Sequence, residues 1–407
     1  MNFSEIKKLF PFFSFNPNTV YLDNAATSLK PLDVVNAVND YNTKLTVNIY
    51  RGESKITDNL LNIYWDTKAK LGAFFKIKNI RQIVFTSGTT MALNTAYHLI
   101  EPLLDENDVI LTTYYEHSSN LMPLLQLAKK TKAKVQFLDI DFKNIDLDDI
   151  LKQIKKTKNL KVLSLIHHSN IFGFSLPIEE IGHALKEDIK KKNLIFIVDG
   201  AQGCLYNDLD IEKANISFFA CSAHKMYAPT GIGMLYQSED FNHLTPVFGG
   251  GNSVLAVEDD LEIVYKQMPL CLEPGTLNLS GICGWNKALD FINKVGKKHL
   301  QDHEIELSKY AIQQLKLIDN IVIYNQSINA GIILFNIKGF FCQDVASYLM
   351  SHKIITRAGD HCVKLLRCLI LEPKAVRISF AVYNIKEDID ILIKMLKQGI
   401  KDDFILI

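Results

Sequence analysis

Between residues 80 and 236, short β-rich apolar runs alternate with stretches whose apolar residues recur at three and four positions. The runs 81–86, 108–113, 134–139, 160–167, 194–199, 216–221 and 231–236 read as strands. Residues 91–100, 120–130, 147–156 and 178–191 read as helices with one buried stripe. Such alternation predicts a doubly wound α/β domain, a mostly parallel sheet covered by helices. After Thr276 the texture changes to a long helical stretch (282–318), a strand (330–336), a helix (344–353), a strand (375–380) and a final helix (386–397). A smaller α+β domain follows from that order. The expected division is a large domain at 17–281 and a small one formed by 1–16 with 282–407, with 247–274 as a loop or hairpin between them.

Length and charge narrow the function classes. A chain of 407 residues can bury a sizeable core, which excludes a small stapled or metal-held module. The 45 basic side chains balance 45 acidic ones, so no electrostatic footprint points to nucleic acid or an anionic membrane. Seven scattered cysteines with no CxxC spacing argue against a disulfide framework and a clustered metal site, and for a reducing, cytoplasmic setting. No stretch of 18 apolar residues occurs, and the N-terminus lacks a secretory pattern, so neither export nor membrane spanning is expected.

Ligands of open α/β sheets gather at the carboxyl ends of the strands, and the polar residues there form a coherent set. Ser87-Gly88-Thr89-Thr90 follows one strand and opens a helix, an arrangement suited to a phosphate or to an ordinary helix cap. Glu116-His117-Ser118-Ser119-Asn120, His167-His168-Ser169-Asn170 and Asp199-Gly200-Ala201-Gln202 follow three others. Another run ends in Ser222-Ala223-His224-Lys225. A lysine able to form a Schiff base, an aspartate able to hold a pyridinium proton, a ring able to stack and a phosphate turn are together what pyridoxal phosphate needs.

Tyr21-Leu22-Asp23-Asn24-Ala25-Ala26-Thr27, Phe85 to Thr90, Val198 to Gln202 and Ser222 to Gly233 resemble the corresponding segments of class V aminotransferase-fold pyridoxal phosphate enzymes. Within that fold, Arg357-Ala358-Gly359-Asp360-His361-Cys362 and Val376-Arg377-Ile378-Ser379 resemble the group II, Suf-type cysteine desulfurases. The resemblance implies an aspartate aminotransferase-like fold of type I and an L-cysteine desulfurase working as a homodimer. Its sulfur would pass to a Suf-type acceptor protein for iron–sulfur cluster assembly. Lys225 would carry the cofactor and move the substrate proton, Asp199 would pair with the ring nitrogen, and His117 would stack on the ring. Thr89, Thr90, Ser222 and His224 would surround the phosphate, and Gln202 would lie near the phenolic oxygen. Thr276 would reach the phosphate of the partner subunit. Arg377 would grip the substrate carboxylate, with Asn170 and Arg357 on the substrate side. Cys362 would take the sulfur as a persulfide, and Arg357 and His361, cationic or potentially so, would favour its thiolate if they stand close; Cys368, six residues on, is the rival acceptor.

Three positions depart from the family pattern: Tyr50 stands where a histidine is usual, Asp360 where a neutral residue or histidine is common, and His168 where a small apolar residue is usual. Selenocysteine lyase, aminotransferase and kynureninase-like activities are the alternatives within the fold. A non-catalytic scaffold is the alternative outside enzymes.

Overall fold

The structure is a computed structural model, and it describes residues 3–49, 53–206, 208–327 and 330–399. Two short helices, α1 (Phe3–Lys7) and α2 (Pro11–Phe15), lead into β1 (Val20–Tyr21) and the long helices α3 (Leu32–Lys44) and α4 (Lys55–Phe75). The large sheet is then laid down as β2 (Ile83–Thr86), α5 (Thr89–Ile100), β3 (Val109–Thr113), α6 (Ser118–Thr131), β4 (Lys134–Leu138) and α7 (Leu147–Lys156). It continues with β5 (Leu160–Ile166), α8 (Ile178–Ala184), α9 (Lys186–Lys191), β6 (Ile195–Asp199), β7 (Phe218–Ser222) and β8 (Gly233–Gln237). A hairpin, β9 (Val254–Val257) with β10 (Ile263–Tyr265), precedes α10 (Leu279–Val295) and α11 (Lys297–Leu315). The chain ends with β11 (Ile321–Ile323), β12 (Ile332–Ile337), α12 (Cys342–Ser351), β13 (Ile354–Ile355), β14 (Arg357–Gly359), β15 (Ala375–Ser379) and α13 (Lys386–Gln398).

The seven-stranded sheet has the order β2-β8-β7-β6-β5-β3-β4. Its strands pair in parallel except β8, which runs antiparallel to β2 and β7. Strands β6 and β7 are buried along their whole length, as a sheet covered on both faces requires. Connections leave in opposite directions from β3 and β5, which are neighbours, so a crevice opens between their carboxyl ends. The second sheet is antiparallel, β11-β12-β15-β14, with its own core of Leu307, Ile312, Phe335, Val345 and Leu392. The N-terminal segment ties the two bodies together: β1 pairs with β13, and Asp23 bridges to Ser379.

The helix expected over 282–318 is two helices. Gly296, at φ +92°, turns the chain between α10 and α11. The residue 281/282 limit drawn from sequence falls inside α10, whose buried Trp285, Ala288 and Leu289 share one core with Leu71 and Phe75 of α4.

One buried ion pair fixes how the 273–276 turn meets the sheet. Lys68 of α4 and Glu273 are both almost inaccessible, with Nζ 3.0 Å from Oε1. Lys68 lies over the rings of Tyr64, Phe85 and Trp65 at 4.6, 5.4 and 5.5 Å. Glu273 also accepts hydrogen bonds from Tyr64 Oη at 2.6 Å and from the Phe85 backbone N–H at 2.7 Å. Glu273→Gln strands the ammonium in a dry core and is expected to reduce unfolding free energy by about 3–5 kcal/mol. A shift in denaturant midpoint worth less than about 1 kcal/mol would show that the three ring faces suffice to hold the cation.

Candidate active site

The strand-end residues converge at one rim. Asp199 ends β6, is 2% exposed, and accepts the Ala201 backbone N–H on Oδ1 at 2.9 Å; its second oxygen has no protein partner among the described residues. Burial raises its pKa, opposed by the Ala201 N–H and by Lys225. Lys225 ends a single 3₁₀ turn after the adjacent strand β7, and its Nζ donates to Gln202 Oε1 at 3.2 Å. Burial lowers the lysine pKa, and the charges of Arg377 and Arg357 act in the same direction against Asp199. Depression favours the neutral amine, the form that can attack a carbonyl.

His117 caps α6 with its ring. Nδ1 accepts the Ser119 backbone N–H at 3.1 Å, so the ring proton of the neutral imidazole sits on Nε2. Burial, with Lys225, Arg357 and Arg377 nearby, lowers its pKa to about 3. At the start of α5, Gly88 adopts φ +149° and offers no capping side chain. A Cβ there would stand 3.3 Å from Ser222 Oγ. Ser222 Oγ lies 2.7 Å from both Thr89 N and Thr89 Oγ1, and Thr90 Oγ1 lies 2.7 Å from Ser119 Oγ. Four hydroxyls thus lie at a helix N-terminus.

The small domain delivers the cysteine. His361 and Cys362 both have positive φ, +51° and +61°, a conformation that disfavours side chains. Four contacts hold this turn: His361 Nε2 with Ala375 O at 2.9 Å, Asn170 Nδ2 to His361 O at 3.0 Å, and Ser118 N and Oγ to Cys362 O at 2.8 and 2.7 Å. Cys362 Sγ lies 3.5 Å from Arg357 Nη2 and is partly exposed. His361 differs from expectation. Its ring proton goes to a backbone carbonyl, and burial with Arg377 lowers its pKa to about 3, so it stands beside the thiol as a neutral group. Asp360 is engaged elsewhere, accepting the Cys362 N–H at 3.0 Å and Lys364 Nζ at 2.7 Å. Cys368 is exposed on a separate 3₁₀ turn.

Arg377 and Arg357 are direct register partners on β15 and β14, so two guanidinium groups share one face. Arg377, 1% exposed, donates to Asp23 Oδ1 at 2.8 Å and to Asn170 O at 3.0 Å. Among the described residues its Nε has no hydrogen-bond partner, and neither has Asn170 Oδ1 or His224 Nδ1. Buried polar atoms without partners at one rim are what a polar ligand with a carboxylate and a phosphate would satisfy. The residues present therefore fit pyridoxal phosphate together with an amino acid.

Fold and rim define a pyridoxal phosphate enzyme of the type I, aspartate aminotransferase-like fold. The model of the class-V aminotransferases matches residues 20–392, and the chain belongs to that family, whose enzymes use this cofactor. The chain is 35% identical over 401 residues to a probable cysteine desulfurase of Ureaplasma parvum serovar 3, covering 98% of each chain. Its structure is similar to apo cysteine desulfurase from Thermococcus onnurineus NA1, with TM-score 0.89, 30% identity and 97% of each chain covered. It is also similar to the cysteine desulfurase CsdA of Escherichia coli, with TM-score 0.88, 28% identity and 98% of each chain covered.

Of the residues singled out from sequence, Lys225, Asp199, His117, Gln202, Thr89, Thr90, Ser222, His224, Asn170, Arg357, Arg377 and Cys362 lie around the rim just described. Thr276 is exposed and makes no hydrogen bond to this chain's Thr89, Thr90 or Ser222. Tyr50 lies outside the described residues. His168 is buried, with Nδ1 2.8 Å from Ser175 Oγ and its ring stacked on Tyr206 at 3.9 Å. Sequence reasoning gave no role to Asp23, Ser118, Glu116 or the Tyr206–Glu304 pair. Glu116 is fully buried, accepting from Thr113, Asn120 and the Ile166 N–H, and Ile166 is the register partner of Asp199.

These buried groups set a pH dependence. Burial pushes the carboxyls of Glu116 and Glu304 up to about 8, so between pH 8 and 6.5 the folded chain takes up protons the unfolded chain does not, and acidification stabilises. Below the ordinary histidine value of 6.5 the unfolded chain protonates His117, His167 and His361, which burial holds at about 3, and acidification destabilises. Above 6.5 the carboxyls are opposed by Lys30, which burial holds at about 8, and by Lys225, which burial lowers, because the unfolded chain keeps their protons. The acid limb is the expected outcome: denaturant midpoints fall as the pH drops from 6.5 towards 4.5, and an unchanged midpoint over that span would contradict it.

Proposed function

We propose that this chain is an L-cysteine desulfurase of the Suf type, converting L-cysteine to L-alanine and leaving the sulfur on Cys362 as a persulfide. The observation that carries the reading is Cys362 beside Arg357, its backbone held on the helix that His117 caps. A thiol without this chemistry would have no need of a turn at positive φ at a Schiff-base rim.

What the cofactor supplies when bound is an electron sink beside the substrate Cα. Lys225 would bear it and carry the proton leaving Cα, and its depressed pKa supports that role. Asp199 would hold the ring nitrogen protonated, and His117 would cover the ring face. Thr89, Thr90, Ser222 and His224 would hold the phosphate, Thr276 would serve the partner's site in a homodimer, and Gln202 would stand by the phenolic oxygen. Arg377, with Asn170 and Arg357, would orient the substrate carboxylate, since a guanidinium binds a carboxylate through paired donors. The C–S bond of cysteine breaks as an S–S bond to Cys362 forms. Hydrogen is conserved, so L-cysteine plus the enzyme thiol gives L-alanine plus the enzyme persulfide. The persulfide sulfur then passes to an acceptor protein of the Suf type for iron–sulfur cluster assembly. Seven free cysteines support a reducing, cytoplasmic setting. No helix among the described residues is long and apolar enough to cross a membrane.

Alanine and sulfide produced from L-cysteine with a reducing thiol test the reading. Wild type is expected to make both in equal amounts. Cys362→Ala is expected to keep the bound cofactor's visible absorbance and make no sulfide, and Lys225→Ala to lose both absorbance and turnover. Full sulfide production by Cys362→Ala would move the acceptor to another thiol. A cofactor-loaded wild type active only on selenocysteine, or only on amino-acid and keto-acid pairs, would replace the desulfurase with a lyase or an aminotransferase.

A further inference from the structure

Beside Lys225 lies a small cleft of about 20 Å³, lined by Asn24, Ser28, Gln202, Tyr206, Lys225 and Glu304 among others. A buried water needs roughly 10–15 Å³ and two to four polar partners, and this cleft offers both. Glu304 reaches it from α11, on the side of the small domain, and is 5% exposed. Tyr206, in the turn after β6, donates from Oη to Glu304 Oε2 at 2.5 Å. The other face of the pair is closed by Gly331 at φ +72°, where a Cβ would stand 2.5 Å from Tyr206 Oη and 2.8 Å from Glu304 Oε2. The carboxyl is therefore held in place from two sides. Its second oxygen, Oε1, has no hydrogen-bond partner among the described residues. Across the cleft, Lys225 Nζ has one partner, Gln202 Oε1, although an ammonium carries three donors.

We propose that Glu304 is a positioning residue for Lys225: its free oxygen holds one water in the cleft, through which the lysine nitrogen exchanges its proton. In that exchange an N–H bond of Lys225 breaks as a water O–H bond forms, and another O–H bond of that water breaks as the carboxyl O–H of Glu304 forms. No electrons change hands. The titratable groups around Glu304 are Tyr206, Tyr227 and Tyr383, with Lys225 across the cleft. Burial pushes the carboxyl up to about 8, opposed by the Tyr206 hydroxyl, so it can accept and return a proton near neutral pH. The inference rests on Lys225 being the cofactor-bearing lysine.

The test is a pH titration of the visible absorbance of the holoenzyme, wild type against Glu304→Gln. The glutamine keeps an oxygen for Tyr206 and resembles the protonated acid. Both proteins are expected to titrate together at acidic pH and to separate above the carboxyl's own value of about 8, where only wild type gains a negative charge that retains the nearby proton. The midpoint of the glutamine variant should be lower by about half a unit or more, while its thermal midpoint stays close to wild type. Superimposable titrations would overturn the proposal even if the variant were less stable, since a merely structural role moves stability alone. A high-resolution crystal structure of the wild-type holoenzyme tests it without a variant: an ordered water within hydrogen-bond reach of both Glu304 and residue 225 is expected, and an empty cleft would refute it. Visible absorbance that survives Lys225→Ala would instead overturn the assignment of Lys225, a separate failure.

Discussion

The hydrogen bonds from Ser118 to the carbonyl of Cys362 are the contact on which the rest of the site depends. They join a turn of the small domain to the first residue of the helix whose cap is His117, so the thiol and the imidazole share one anchor. Two successive non-glycine residues at positive φ cost roughly 1–2 kcal/mol each. Such a turn persists only when its surroundings over-determine it. Asn170 on one side and Ala375 on the other complete that over-determination. The result is a cysteine whose backbone is anchored from both sides, with Arg357 as its neighbour.

Charge is managed in the same region by burial and, for the two arginines, by the carboxylate of Asp23. Arg357 and Arg377 face each other across a strand pair, an arrangement that repels unless something negative lies close. Asp23 supplies that charge from the N-terminal segment, whose β1 pairs with β13 beside it. Lys225 and His117 feel the remaining positive field together with desolvation, and both move toward their neutral forms. Neutral lysine is a nucleophile and neutral imidazole is a flat ring free to stack. The two arginines that would bind a carboxylate thus also tune the lysine that would bear the cofactor.

Much of this was legible in the sequence, and for a physical reason. Strands β2 to β8 follow a local pattern of apolar alternation, and each reactive side chain stands within a few residues of a strand end, so pattern and chemistry coincide. Helix α3 carries a weak local signal, a nearly balanced mix of apolar and polar residues with Val34 its one buried hydrophobe, and α4 buries Thr67, Lys68 and Gly72 among its apolar positions, which blurs its stripe. The strands β11, β13 and β14, two or three residues long, are too short to show a period. The roles of Asp23, Ser118 and Glu304 are not legible locally, because their partners lie 354, 244 and 98 positions away. The neutral state of His361 is set by burial and by its contact with the Ala375 carbonyl, which only the folded turn creates.

Two of the three departures from the family pattern are absorbed by contacts that the sequence does not advertise. A carboxylate at Asp360 next to a reactive thiol would oppose ionisation if it faced the sulfur. Here its two oxygens are taken by the Cys362 N–H and by Lys364, so the charge is spent on shaping the turn. An imidazole at His168 in a dry core would be costly without partners. Its Nδ1 gains a hydroxyl from Ser175 and its face a parallel ring from Tyr206, although Nε2 has no hydrogen-bond partner among the described residues, and Tyr206 in turn directs its own hydroxyl to Glu304. The substitution at His168 therefore fixes the tyrosine that orients the buried acid beside Lys225. A departure two residues before Asn170 is thereby linked to the far side of the cleft, through one stacked pair and one hydrogen bond.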